Sequence, residues 1–273
     1  MNKRRRRKLK LFLLPVLMIC IFMAALPLQA GAATNTKAKA SKKERWVTKR
    51  KQVYYYKSGK KTTGLKEING KYYYFDKKGV QHTGWQKIKG NYYFFRVANG
   101  KKGFMAKSTK VNGVTLKKNG RAKLNSDSRS RLNVLLKANK IAEKATKPTM
   151  SKEQKLRACF DYAVKNFQYR GAPAFYKSAH WERSYALDMF DKGHGNCYSY
   201  GAAFAYLANA AGYKNAYAIS SGGHGWAEVD GKVYDISWHI VDKAHNYYGM
   251  SYSLSGADGR PGYKSSRIYV AKI

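Results

Sequence analysis

The chain has 273 residues and carries 54 Lys and Arg against 15 Asp and Glu, a formal net charge of +39 at pH 7. A balance this basic favours acidic partners and disfavours cationic ones. The six histidines and three cysteines are scattered, with no cluster at metal-ligand spacing, so no metal site is expected.

Residues 1–33 read as a secretion signal. Lys3, Arg4 to Arg7, Lys8 and Lys10 form a basic region. Leu11 to Leu28 is an apolar run, and Ala30-Gly31-Ala32 offers a small-residue cleavage site. An uncleaved membrane anchor is the second reading, weakened by Pro15 and Pro27 within the run. Residues 34–45 are rich in Lys, Ala, Thr and Ser, the composition of a flexible linker.

A period of about twenty residues follows, the mark of a repeat array. Gly64 matches Gly84, Leu65 matches Trp85, Ile68 matches Ile88, and Gly70 matches Gly90. Tyr72 to Phe75 match Tyr92 to Phe95, with degenerate copies beginning at Trp46 and Phe104. Each copy reads as two short strands and a turn, too small to bury its aromatic face alone. Over residues 46–124 this resembles the cell wall-binding repeats of exported bacterial proteins, including choline-binding and glucan-binding types. The resemblance makes Trp46, Tyr72, Tyr73, Trp85, Tyr92 and Tyr93 candidate wall-binding aromatics, although about half of the repeat aromatics should simply be core. Residues 34–125 hold 26 Lys and Arg against three acids, Glu44, Glu67 and Asp76. So positive a surface disfavours a quaternary ammonium ligand and suits phosphate-bearing or acidic wall polymers, with sugar rings on tyrosines. Basic charge with aromatics also suits nucleic acid, but no motif for it is present. After signal cleavage no membrane contact is expected.

From Asn125 the composition changes: residues 126–273 hold 21 basic and 12 acidic residues, enough chain for one core. SDSRSRLNVLLKANKIAEK predicts a helix capped near Ser126 or Asp127 and closed before Pro148. SKEQ at Ser151 is a capping-box start for a second helix. Its apolar face carries Leu156, Cys159, Phe160, Ala163, Val164 and Phe167, which makes Cys159 a core residue. The aromatic and charged segment from Phe167 to Asp191 is expected to line a cleft. Trp181, His194 and Trp226 are candidate substrate contacts, and His194 is also a rival base.

The chemistry centres on GHGNCYSYGAAFAYLANAAG, residues 193–212. Tyr200, Ala203, Phe204, Leu207, Ala208 and Ala211 recur at helical spacing, and Gly212 ends the run. Cys197 therefore lies in the first turn of a buried helix, where free N–H groups and the helix dipole favour a thiolate. Downstream, Asp230-Gly231 is a hairpin-turn signal, which places His224, Trp226, Glu228, Val233 and Asp235 on one strand face. In that register His224 and Asp235 are diagonal neighbours, within reach of a His–carboxylate bond. The opposite face, Ala227, Val229, Tyr234 and Ile236, reads as core.

These residues resemble the transglutaminase-like superfamily, whose members share a Cys–His–Asp triad in this order. The matching features are Gly-x-Cys at a helix start, His-x-Trp-x-Glu-Val on a strand and Tyr-Asp on the next. The resemblance implies Cys197 as nucleophile, His224 as base and Asp235 as its orienting acid. It implies an α+β domain over residues 125–273 with a transglutaminase-like, papain-like cysteine-protease fold, preceded by a solenoid-like module of β-hairpin repeats. The implied activity is thiol acyl chemistry on peptide or protein amides, without a cofactor. Water as acceptor makes a cysteine peptidase or amidase, the preferred reading. An amine makes a cross-linking transglutaminase, and a vestigial triad would leave a cell wall-binding surface protein.

Overall fold

The computed structural model describes residues 44–96, 103–171 and 174–273. The expected secretion signal and most of the expected linker lie outside the described residues.

The amino-terminal part is a succession of antiparallel hairpins. β1 (Arg45–Lys49), β2 (Gln52–Lys57) and β3 (Lys60–Lys61) form one sheet. β4 (Gly64–Ile68), β5 (Lys71–Phe75) and β6 (Gln81–His82) form the next. β7 (Gly84–Ile88) pairs with β8 (Asn91–Phe95), and β9 (Thr109–Val111) with β10 (Val114–Leu116). The sequence period survives residue for residue, since Gly64 pairs with Phe75 just as Gly84 pairs with Phe95. The turns are Asn69-Gly70, with φ of 51° and 71°, and Lys89-Gly90, with φ of 47° and 77°. Two successive left-handed residues are what a two-residue hairpin requires.

Strand alternation buries Tyr73 and Phe75 in β5, and Tyr93 and Phe95 in β8. Neighbouring copies close over them. Trp46, Tyr55, Ile68, Tyr73, Phe75 and Phe104 share one cluster, and Leu65, Ile88, Tyr93, Phe95 and Met105 share the next.

α1 (Ser126–Ala145) is capped by Asn125, one residue before the expected position, whose side chain accepts the Ser128 N–H at 2.8 Å. α2 (Lys152–Asn166) starts with the expected box between Ser151 and Gln154. β11 (Gln168–Tyr169) runs parallel to β12 (His194–Gly195), with α3 (Trp181–Leu187) and a π-helical turn (Asp188–Lys192) between them. α4 (Cys197–Ala210) follows, and all but its last two residues are buried. It packs on the sheet through β13 (Ala216–Ser220) and β14 (Gly225–Val229), and is covered by α1, α2 and α3. β15 (Lys232–Tyr234), α5 (Ile236–Val241), β16 (Tyr248–Met250) and β17 (Tyr269–Lys272) complete an antiparallel sheet of order β16-β15-β14-β13-β17.

Helices before antiparallel strands is the expected order of a mixed helix-and-sheet domain. The hairpin register is also the expected one, with Ala227 opposite Tyr234 and Glu228 opposite Val233. Two features depart from expectation. Asp235 is not on a strand: β15 ends at Tyr234, and Asp235 is the N-cap of α5. A carboxylate followed three residues later by a free helical N–H caps more readily than it continues a ladder. The second face of β14 is also closed. Ile219, Trp226, Val233, Tyr247, Met250 and Tyr263 form a separate buried cluster over it.

The main core runs across residue 125. Trp85, Ala106, Val114 and Leu116 of the hairpin region belong to the same buried cluster as Leu132, Leu135, Phe160 and Phe204. The described residues accordingly form one compact unit.

Candidate active site

Cys197 is the first residue of α4 and is 8% exposed. The Asn196 side chain caps the helix by accepting the Ser199 N–H at 3.1 Å. This leaves the Cys197 N–H without an acceptor among the described residues.

Two glycines bring His224 to this helix end. A Cβ on Gly201 would lie 2.6 Å from the Trp226 carbonyl carbon, and one on Gly225 would lie 2.7 Å from the Tyr198 Cα. Real Cβ atoms do not approach backbone so closely, so only glycine lets α4 and β14 meet backbone to backbone. His224, immediately before β14, is thereby held against the first turn of α4. Its own turn is tight, with the Ser221 hydroxyl accepting the His224 N–H at 2.8 Å.

The His224 Nε2–H donates to Asp235 Oδ2 at 2.5 Å. Asp235 is 1% exposed and accepts three more hydrogen bonds. Tyr263 Oη donates to the same Oδ2 at 2.8 Å, while Ser237 Oγ at 2.7 Å and the Trp238 N–H at 3.1 Å donate to Oδ1. Burial would raise the Asp235 pKa, but the His224 charge and hydrogen bond, with the Ser237 and Trp238 donors, hold it below the ordinary carboxylate value. For His224, burial opposes the charged ring. The Asp235 charge and hydrogen bond, reinforced by a hydrogen bond and charge from Cys197, override it and raise the pKa to about 10. The raised pKa favours the charged imidazolium beside the buried carboxylate at neutral pH. Trp226 stacks on its ring at 6.0 Å between centroids, and Trp238 and Tyr263 flank it at 6.5 and 6.2 Å.

The other expected site residues separate into distinct environments. Trp181 is 6% exposed and meets Phe175 edge-on, so it fills the core and is not on an open cleft. Trp226 is 1% exposed and donates from Nε1 to Tyr252 Oη at 3.1 Å, which makes it the backing of His224 and not a substrate contact. In both cases a large aromatic on an element joining two layers is worth more buried than wet. His194 sits in β12 opposite Gln168 and has no side-chain hydrogen bond among the described residues, so it lacks the orienter that His224 has.

The repeat aromatics divide as well. Trp85, Tyr73 and Tyr93 are buried at 3, 7 and 7% exposure, and Trp85 Nε1 donates to Asn112 Oδ1 at 3.0 Å. These three are packing residues, since a ring closed off by its neighbours presents no face to a ligand. Trp46, Tyr72 and Tyr92 are half-buried.

Sequence reasoning missed three residues. Ser237, two positions after Asp235, carries the Asp-x-Ser signal of a capped turn. Tyr263 reaches Asp235 from a distant loop and has no local signal. Tyr169 is half exposed, pairs with Gly195 across β11 and β12, and stacks on Tyr200 at 6.4 Å. Its phenol pKa is raised by burial first, then by the charges of Cys197 and Asp235. Among the described residues no group of three or more His, Cys, Asp or Glu could hold a metal ion.

Comparison with known families agrees with this geometry. Residues 138–243 match the transglutaminase-like superfamily, and residues 62–109 match the choline-binding repeat. The chain therefore carries choline-binding-type repeats followed by a transglutaminase-like domain. Among solved structures it is similar to the choline binding domain of a Streptococcus pneumoniae protein, with 24% identity, a TM-score of 0.27, and coverage of 32% of this chain and 99% of that one. It is also similar to choline binding protein F from Streptococcus pneumoniae in the presence of a peptidoglycan analogue (26% identity, TM-score 0.26, 30% of this chain and 28% of that one). A third is a pneumococcal cell wall endolysin from phage Cp-1 complexed with choline (25% identity, TM-score 0.22, 30% of this chain). The match spans 25% of the endolysin's own length. No curated protein matches.

Proposed function

We propose that this protein is an exported, cell wall-associated thiol acyl enzyme that hydrolyses peptide or protein amides, a cysteine peptidase or amidase. The observation that carries this reading is the 2.5 Å contact between His224 Nε2 and Oδ2 of the buried Asp235, with Cys197 among the groups that raise the His224 pKa.

With Nε2 committed to Asp235, Nδ1 is the nitrogen that exchanges a proton with the Cys197 thiol. The thiolate attacks the amide carbonyl carbon, and the Cys197 N–H is placed as one donor to the oxyanion. The C–N bond then breaks, with the His224 proton leaving on the amine, and a thioester remains. Water gives a proton to His224 and attacks the thioester, releasing the acid and restoring the thiol. Water is favoured over an amine because the approach to His224 is open: Gly222 and Gly223 are exposed, and a transferase must shield its thioester.

For the repeats, the ligand inferred is an anionic or glycan wall polymer. The protein's own cations already cover several ring faces. Lys107 Nζ lies 4.1 Å from the Tyr72 centroid, Lys61 Nζ 4.3 Å from Tyr54 and Lys71 Nζ 4.6 Å from Phe104. A quaternary ammonium would have to displace them. Salt should therefore elute the protein from cell walls, and elution by free choline at constant ionic strength would overturn this assignment.

The reaction is tested by giving the protein a peptide donor with excess labelled primary amine and weighing the products. Free acid should dominate and Cys197→Ala should abolish it, while Cys159→Ala keeps it. Amide as the main product would make the protein a cross-linking transglutaminase. No reaction with any donor would leave a wall-binding protein with a silent triad.

A further inference from the structure

A second concave site lies at the other end of α4 from Cys197. It is a cleft of about 760 Å³ between the β9–β10 hairpin and the carboxyl-terminal end of α4. Arg96, Lys110, Arg131, Lys214 and Lys272 line it, and no Asp or Glu side chain does. Arg131 is engaged, its Nε donating to Asp127 Oδ2 at 2.9 Å. The other four have no carboxylate partner among the described residues.

The cleft is built, not merely a basic surface. Asn112 Nδ2 donates to Asn209 Oδ1 at 3.0 Å, tying the β9–β10 turn to α4, and Asn209 Nδ2 donates to the Tyr213 carbonyl at 3.1 Å. Gly113, with φ of 75°, lets the Arg131 guanidinium lie against the turn, because a Cβ there would sit 3.0 Å from its Cζ. Hairpin and helix thus wall the hollow, and the cations reach it from Lys110 on β9, Arg131 on α1, Lys272 on β17, Arg96 just after β8 and Lys214 just past α4. Such a volume is too large for one small anion and is in the range of sites that hold an extended ligand segment. Arg96 lies over the Phe104 ring at 5.4 Å and Lys272 over the Tyr217 ring at 5.6 Å, yet no carboxylate among the described residues offsets these charges, and like charges facing one hollow favour an anionic occupant.

We propose that this cleft binds a linear polyol-phosphate polyanion, small polyols joined by phosphodiesters and carrying no bases, as a non-catalytic anchoring site shared by the hairpin region and the transglutaminase-like domain. The proposal rests on the wall-association reading only for the origin of the polymer. From Cys197 to Asn209 the helix rises about 18 Å, so a chain held here is anchored away from the thiol. Anchoring and turnover are therefore separable.

The test uses the full chain and the variant Lys110→Ala/Lys214→Ala/Lys272→Ala, with defined poly(glycerol phosphate) as the probe. The native protein should bind it with a steep salt dependence and leave an uncharged dextran unbound. The triple variant should bind about a hundredfold more weakly, roughly fivefold per cation removed, and its salt slope should fall by about two. Its turnover of a small soluble peptide should be unchanged. If that peptide is never cleaved by either protein, the hydrolase reading fails while this one stands. Equal binding by native and variant protein would overturn the cleft assignment. So would tighter cleft-dependent binding of a single-stranded oligonucleotide of equal charge, or of anionic lipid vesicles, which would give the cleft to a different occupant.

Discussion

Gly201 of α4 lies directly on the backbone of Trp226 in the neighbouring strand, so close that a Cβ would fall 2.6 Å from the Trp226 carbonyl carbon. This contact sets the spacing between the element carrying Cys197 and the element carrying His224. Gly201→Ala must push the two apart by several tenths of an ångström or strain the backbone, at a cost of roughly 1–3 kcal/mol. Activity should fall by between about ten- and a hundredfold, since misplacement by a full 1 Å costs about a hundredfold. A folded Gly201→Ala protein, judged by its circular dichroism, with native turnover would contradict this role.

Tyr263 acts through Asp235 and not on substrate. Tyr263→Phe removes one of four donors and leaves His224, Ser237 and Trp238 in place. Loss of a single hydrogen bond worth about 1 kcal/mol predicts a three- to tenfold fall in kcat with KM unchanged. The carboxylate it leaves is more basic and holds the imidazolium more strongly, so the alkaline limb of the pH profile should move upward. Asp235→Asn should cost on the order of 10⁴ in kcat, because the ring loses its orienting charge. A KM effect alone for Tyr263→Phe would assign it to substrate binding instead.

The ion pair also makes a prediction about stability. The folded pKa of His224, about 10, lies above its ordinary value of 6.5. Its contribution is complete below pH 6.5 and is lost as the pH rises towards 10. Asp235 is shifted down from 3.8, so its contribution is present above that pH and is lost on further acidification. The difference in urea midpoint between the native protein and Asp235→Asn should therefore be widest between about pH 4 and 6.5 and shrink by pH 10. A difference that stays constant from pH 6 to 10 would exclude the charged pair.

Because the core crosses residue 125, the domain read as catalytic should not be self-sufficient. A chain of residues 126–273 uncovers the face of α1 that packs on β7, where Trp85 and Leu116 share its buried cluster. Its melting temperature should fall by on the order of 10 °C, or it should aggregate, since each 1 kcal/mol lost is worth about 2–4 °C at this size. A melting temperature equal to that of the full chain would show two independent domains.

The sequence alone determined what local rules govern. Two-residue turns at Asn69-Gly70 and Asp230-Gly231 set hairpin register, because register follows turn geometry and a fixed alternation of faces. Helical spacing after Cys197 placed it at a helix start, and the Asp230-Gly231 register put His224 within reach of Asp235. Tertiary structure decided what depends on residues far apart in the chain. Tyr263 lies 28 residues beyond the carboxylate it supports, and no periodicity connects them. Trp181, Trp226 and Trp85 carry the same composition signal as a ligand platform, and only the elements packed over them made them core. Gly201 and Gly225 were visible as glycines, yet their purpose exists only where a helix and a strand touch. Asp235 passed from strand to helix cap because its side chain satisfies a helical N–H and a distant histidine together, a balance that only the assembled site sets.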